Sequence, residues 1–237
     1  MIRSVEMYPS SVAYVYDTLA VTWGQVHKRA MKYASALKRL KVGKNDVVSL
    51  MAANTPLAFE SHFGVIGANA VLHTINVRLD KVQIAFQLQH ARTKVLLVDG
   101  DFLNLAKTAV ELIPDKAARP IVICAEEHSG DSNTHNYPSW CLSNYESFLS
   151  SGSDVEELSM PDDEWDACCV NYTSGTTGDP KGVVYHHRGA YLNAMSNLID
   201  YGIRLHDSFL WGNNNNITNS NANNASILTP LTLLFLL

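Results

Sequence analysis

No block of like charge occurs anywhere in these 237 residues. The 18 basic and 23 acidic side chains leave a net charge of −5, which argues against a nucleic-acid surface, since that needs a clustered basic excess. No Cys-x-x-Cys pair is present, and no His cluster accompanies the four cysteines, so zinc-ligand spacing is missing. Cys124, Cys141, Cys168 and Cys169 read instead as buried thiols of a reducing compartment. No apolar stretch of signal-peptide length follows Met1, so a cytoplasmic location is expected. The sequons at Asn171, Asn216 and Asn224 then read as chance matches. No run is long enough to span a bilayer: the apolar "ILTPLTLLFLL" at the C-terminus is short and holds Pro230. No internal repeat is found.

Apolar material is not lacking. At 46% hydrophobic and 17% charged, the chain has enough for a core in one large domain or two small ones. "SVAYVYDTLAVTW" reads as two short strands around a turn at Asp17–Ala20. Thr22 and Gln25 have capping-box spacing. Val26, Ala30, Tyr33, Ala34, Leu37 and Leu40 follow on one helical stripe, which Gly43 should end. "DVVSLMAAN" is apolar enough for a strand buried on both faces. Asn54 is placed to cap a helix over 56–70, and Asp80 with Gln83 opens another to about Ala91. "KVLLVD" and "RPIVICAEE" read as strands around the helix "DFLNLAKTAVELI". This alternation predicts an α/β fold, a mostly parallel sheet flanked by helices, with ligands at the carboxyl ends of its strands. Residues 126–163 are polar and turn-rich, with a short helix expected in "CLSNYESFLSSG".

The densest chemistry lies in "NYTSGTTGDPKGVVYHH", Asn171 to His187. A strand, "DACCVNY", enters it. Gly175, Gly178, Pro180 and Gly182 exclude regular structure over "TSGTTGDPKG". Such a loop offers successive backbone N–H groups to an anion. Thr173, Ser174, Thr176 and Thr177 add hydroxyl donors. Lys181 adds a mobile positive charge. Together they make a cradle for a polyphosphate. The common nucleotide loop G-x-x-x-x-G-K-[ST] does not fit. Counted from Gly175, Pro180 replaces a required glycine, and Gly182 replaces the Mg²⁺-binding hydroxyl. A hydrolase of that kind, forming ADP, is disfavoured. His186 and His187 read as the start of a helix that continues through Tyr191, Met195, Leu198, Ile199 and Gly202. In "LHTINVRLD", Asn76 and Arg78 read as loop-ordering residues.

"YTSGTTGDPKG" resembles the phosphate-loop signature of the adenylate-forming (AMP-binding) superfamily. The flanks from "VTWGQVHKRA" to "NVRLD" and "KGVVYHHRGAYLNAMSNLIDYGI" resemble plant acyl-activating enzymes, the acyl-CoA synthetases. The resemblance covers about residues 8–211. It implies that 1–211 is a partial AMP-binding domain, the N-terminal part of the large adenylation domain. It also implies an ATP-dependent acid-thiol ligase of fatty-acid and lipid metabolism: a carboxylate and ATP give an acyl-adenylate, and coenzyme A then gives the thioester. ATP, Mg²⁺, coenzyme A and a small carboxylate are the implied cofactors and partners. The phosphate-binding residues so implied are Thr173, Ser174, Gly175, Thr176, Thr177, Gly178 and Lys181, with Lys181 also in the catalytic role. No protein residue is implied as a metal ligand.

From Gly212 the pattern changes. Eight of the twelve residues Asn213–Asn224 are Asn, a low-complexity tract with no periodic apolar face. Residues 212–237 are therefore expected to be a disordered, non-family tail of the kind that reading through an unspliced intron would give. The resemblance also implies elements not found in this sequence: an aromatic-Gly-x-Thr-Glu segment for adenine, an aspartate for ribose, and a mobile domain with the adenylation lysine. A non-catalytic fragment that at most holds ATP is the alternative expectation. Full-length relatives can be peroxisomal or mitochondrial, and no S-K-L tripeptide ends this sequence.

Overall fold

The computed structural model describes residues 1–125, 137–155, 157–173, 179–203, 207–211 and 226–228. The chain begins with α1 (Ile2–Met7), the hairpin β1 (Val12–Tyr16) and β2 (Leu19–Thr22), and the long α2 (Trp23–Arg39). Alternation follows: β3 (Val47–Met51), α3 (Pro56–Gly67), β4 (Val71–Thr74), α4 (Lys81–His90), β5 (Thr93–Asp99), α5 (Leu103–Glu111) and β6 (Ile121–Ala125). Then come β7 (Ser143–Asn144), α6 (Tyr145–Ser150), β8 (Ala167–Thr173), β9 (Lys181–His186), α7 (His187–Asp200), β10 (Phe209–Trp211) and β11 (Ser226–Leu228). No helix among the described residues is long and apolar enough to cross a membrane.

Local sequence accounts for the helix starts. Both capping boxes form: Gln25 N–H donates to Thr22 Oγ1 and Thr22 N–H returns to Gln25 Oε1, and Asp80 with Gln83 does the same. Asn54, in contrast, does not cap α3. Thr55 holds that position without a side-chain bond to the helix, and Pro56 fills the first turn. Thr55 Oγ1 is committed elsewhere, donating to Asp99 Oδ2 at 3.1 Å. Nor does α2 reach Gly43: it ends at Arg39, and Lys41 makes the turn at φ +58°.

Seven strands pair in the order β7-β6-β5-β3-β4-β8-β9, every pair parallel except β8 with β9. This is the mostly parallel, helix-flanked sheet that the alternation predicts. Period-two alternation divides its strands between two cores. Val48, Leu50, Leu72, Val95, Leu97 and Ile123 pack under α2, α3 and α6. Met51, Leu96, Val98, Val122 and Cys124 pack under α4 and α5. A smaller sheet, β10-β11-β1-β2, stands apart from it. Its β11 comes from the Asn-rich tail and pairs antiparallel with β1, Tyr14 opposite Leu228. The rest of 212–237 beyond these three residues lies outside the described residues.

One polar group ties the first core together. Glu60, 1% exposed in the middle of α3, accepts from Arg29 Nε at 2.6 Å, Tyr145 Oη at 2.6 Å and Tyr14 Oη at 3.2 Å. The donors come from α2, α6 and β1. Arg29 continues outward to Glu146 through two bonds of 3.1 and 2.7 Å. A buried carboxylate is tolerated only when paired and hydrogen-bonded, and here three donors meet that demand. Glu60→Ala orphans two buried hydroxyls and one guanidinium edge, and is expected to destabilise the chain by about 3–5 kcal/mol. Urea unfolding measures this; a loss under about 1 kcal/mol would show that the cluster is not a tie.

Candidate functional site

The glycine-rich stretch sits at the carboxyl end of the parallel sheet. β8 runs parallel to β4, with Leu72 opposite Cys169 and His73 opposite Val170. Just beyond, Thr74 Oγ1 donates to Asn171 Oδ1 at 2.7 Å. β8 then reaches Thr173, and the chain returns as β9 with Lys181 opposite Thr173. The expectation that all of "TSGTTGDPKG" is irregular is therefore corrected. Thr173 closes β8, and Lys181 and Gly182 open β9, because the stretch is the tip of an antiparallel hairpin. Thr173 and Lys181, both exposed, are the two feet of one loop. Ser174, Gly175, Thr176, Thr177 and Gly178 lie outside the described residues.

Gly182 serves packing as well as turning. A Cβ there would stand 3.3 Å from Tyr172 Cζ and 3.3 Å from Val170 Cγ2. Its bare backbone lets the Tyr172 ring lie across β9. That ring is fixed from the far side: Tyr172 Oη and His90 Nδ1 are 2.7 Å apart, and the rings of His73 and His90 lie 5.0 and 5.7 Å away. Sequence reasoning missed His90 and Tyr172 as a pair, since they are 82 positions apart.

Below them His73 is fully buried. Its Nδ1 meets Ser49 Oγ at 2.8 Å, and Ser49 Oγ meets Thr93 Oγ1 at 2.7 Å. Its Nε2 finds no hydrogen-bond partner among the described residues. Burial pushes the imidazole down to about 4, although the neighbouring Gln87 side chain favours the charged form. His73 is therefore a neutral floor beneath Tyr172.

The other end of the hairpin is clamped by the acidic "PDDEWD". His187 N–H donates to Asp166 O at 3.2 Å and Arg188 N–H to Glu164 O at 2.9 Å. Arg188 pairs with Glu164 at 2.5 Å and Lys44 with Asp166 at 2.7 Å. His186 caps α7, its Nδ1 accepting from Gly189 N–H at 2.9 Å. Both histidines thus start a helix, as their sequence context predicts. Asn76 also behaves as read, its Oδ1 accepting from Arg78 N–H at 3.0 Å to order the loop after β4.

The arrangement is a β-ribbon held at its base and through the Tyr172 ring, with a hydroxyl and an ammonium at its exposed end. That donor set suits phosphate oxygens. ATP and its Mg²⁺ are compatible with it: the ammonium supplies charge, and the metal would arrive on the phosphates.

Comparison with known proteins bears on this geometry. The family model for AMP-binding enzymes matches residues 2–214. The chain is 36% identical to an acetate/butyrate–CoA ligase, AAE7, of Arabidopsis thaliana over 88% of its length, and 36% identical to a trans-cinnamate:CoA ligase of Petunia hybrida over the same share. Both are named as peroxisomal. It spans only 38% of the length of each. Among solved structures, the anthranilate CoA ligase AuaEII in complex with anthranoyl-AMP superposes with a TM-score of 0.74 at 25% identity, covering 86% of this chain and 37% of that one.

Two tests follow from this packing. Gly182→Val forces the Tyr172 ring off β9. Overpacking costs about 1–3 kcal/mol, while β-propensity returns at most about 1, so net destabilisation is expected in urea unfolding, and a neutral or stabilising result would remove the packing role. His73 gives a pH effect. Its folded value, about 4, lies below the ordinary 6.5. A base so depressed adds stability above pH 6.5 that is lost as pH falls toward 4. His62, also pushed down to about 4 by burial, acts in the same sense. Asp99, pushed up to about 6 by burial, opposes both, since its protonation favours the fold as pH falls from 6 to about 4. His27 and His187, also lowered by burial, add to the first pair, so four histidines against one aspartate predict a net loss between pH 6.5 and 4. His73→Gln should shrink the loss over that range by on the order of 3 kcal/mol; an unchanged loss would sink the assignment.

Proposed function

We propose, because this chain belongs to the AMP-binding enzyme family, that it supplies the phosphate-holding part of an ATP-dependent acyl-CoA ligase. The observation that carries this reading is the pairing of Thr173 with Lys181 across the open tip of a hairpin at the carboxyl end of a parallel sheet. Ligands of open α/β sheets bind at such strand ends. The loop between those feet, Ser174, Gly175, Thr176, Thr177 and Gly178, holds the β- and γ-phosphates of ATP. When a carboxylate attacks the α-phosphorus, negative charge accumulates on the departing pyrophosphate. Lys181 and the loop hydroxyls meet that charge with donors already in place, so little reorganisation is required as the bond breaks. Mg²⁺ on the phosphates supplies further charge neutralisation.

No base is needed for adenylation, because a carboxylate is already a nucleophile. The buried His73 and the capping His186 fit this: one is held neutral below the site and the other is occupied with α7. Coenzyme A accepts the acyl group in the second half-reaction. The substrate is a small carboxylic acid; the acids in the names of the plant relatives range from acetate to cinnamate. The place of action is the cytoplasm or, as in those relatives' names, the peroxisome. A second reading rests on the 38% coverage of the relatives: the 237 residues by themselves hold ATP without completing ligation.

Lys181→Ala tests the site. In the 237-residue chain the variant should bind ATP·Mg²⁺ roughly 10- to 100-fold more weakly, as expected for losing one charged hydrogen bond. In a ligase of the relatives' full length that carries this segment, the same change should cost about 2–4 kcal/mol in the adenylation transition state. AMP as product supports the ligase, and binding without turnover in the short chain supports the second reading. ADP formation would refute the ligase, and undiminished binding by the variant would refute the role given to Lys181.

A further inference from the structure

We propose that Cys168 and Cys169 form a vicinal dithiol site that captures a trivalent arsenical across its two sulfurs, on the strand that leads into the phosphate loop. The inference does not depend on the ligase reading.

Neighbouring residues of a regular strand point to opposite faces of the sheet, so two adjacent cysteines should not meet. Here the β8–β9 ladder slips at this point. Ala167 lies opposite His186, yet Cys169 lies opposite Tyr185. Two residues of β8 therefore face one step of β9, which is a β-bulge, and a bulge re-aims a side chain. Cys168 Sγ donates to Tyr185 O at 3.4 Å, and the slip lets the two thiols turn toward one face of the sheet. Cys168 is 2% exposed, while Cys169 is half-buried and gives the way in. Among the described residues no group of three or more His, Cys, Asp or Glu side chains could hold a metal ion. The ligand class is thus a soft centre satisfied by two sulfurs, not a tetrahedral zinc.

The neighbouring Cys169 side chain also holds the Cys168 thiol below its usual range, and Cys168 with burial pushes Cys169 up. A thiol so lowered ionises more readily than its neighbour, and the thiolate is the attacking form. The reaction balances without an oxidant. An arsenic(III) oxide, R–As=O, exchanges its oxygen for two sulfurs: two S–H bonds and the As=O bond break, two As–S bonds form, and one water leaves. Arsenic stays trivalent. Cys124 and Cys141 provide an internal contrast. They are 1% and 6% exposed, and burial pushes Cys141 up to about 12.

The probe is phenylarsine oxide added to the folded 237-residue chain, read by intact mass. Cleavage after glutamate then separates Cys168–Cys169 from the other two cysteines at Glu146, Glu157 and Glu164. One phenylarsenic per chain is expected, on the peptide that begins at Trp165, removable by excess dithiol but not by monothiol. Cys169→Ser should abolish uptake and Cys124→Ser should leave it intact. No uptake by the native chain, an adduct on Cys124–Cys141, or uptake that survives Cys169→Ser would each overturn the proposal. The mapping on unaltered protein stands even if a variant misfolds.

Discussion

A carboxylate with three donors and almost no water sets the geometry of this chain. Glu60 sits in a mostly apolar α3, and its oxygens reach α2, α6 and β1 at once. Hydrophobic contact alone fixes how much surface is buried, not which register two helices adopt. A charged group that cannot be left unpaired does select a register, because every sliding motion that breaks a bond leaves a desolvated charge behind. α2, α3 and α6 are thereby indexed to one another and to β1. α3 leads directly into β4, and β4 is the strand on which β8 lies. The β8–β9 ribbon is linked to this buried contact through α3 and β4.

The sheet's core was legible because its signals are local. Capping boxes at Thr22 and Asp80, apolar runs such as "KVLLVD", and the helical stripe from Val26 to Leu37 each act within a few residues. β9 was not legible. Its Val183, Val184 and Tyr185 are 40%, 60% and 44% exposed, so neither face has the alternation that betrays a half-buried strand. What makes it a strand is pairing with β8. In the same way Tyr191 and Ile199 lie on the helical stripe read after His187 but stand exposed on α7, where only Ala194 is buried. Apolar spacing predicts a helix; it does not say that the described chain covers it.

The site divides along the same line. The order of hydroxyls, glycines and lysine from Thr173 to Lys181 carried its chemistry openly. Its support did not show, because Tyr172, His90, His73 and Gly182 come from separated parts of the chain and mean nothing singly. Gly182 was read as a breaker of regular structure and sits inside a strand, with an aromatic ring in the space its side chain would take. Glu60 had a faint signal that could have been used: one acid inside the apolar run "PLAFESHFGVIG" must have donors waiting for it.

The hairpin also orders how the chain assembles. β8 and β9 are joined by a short connection, so they can zip together early as a local ribbon. Docking that ribbon on the sheet is a different event, since Thr74 and Asn171 are 97 positions apart and only two register pairs hold β4 to β8. Contacts of such sequence separation form late, after the cost of closing a long loop has been met. The tip that would grip a ligand is thus built by local pairing but aimed by the last long-range step. A ligand that favours the docked ribbon pulls that step forward, which makes completion of the fold and completion of the site one and the same equilibrium.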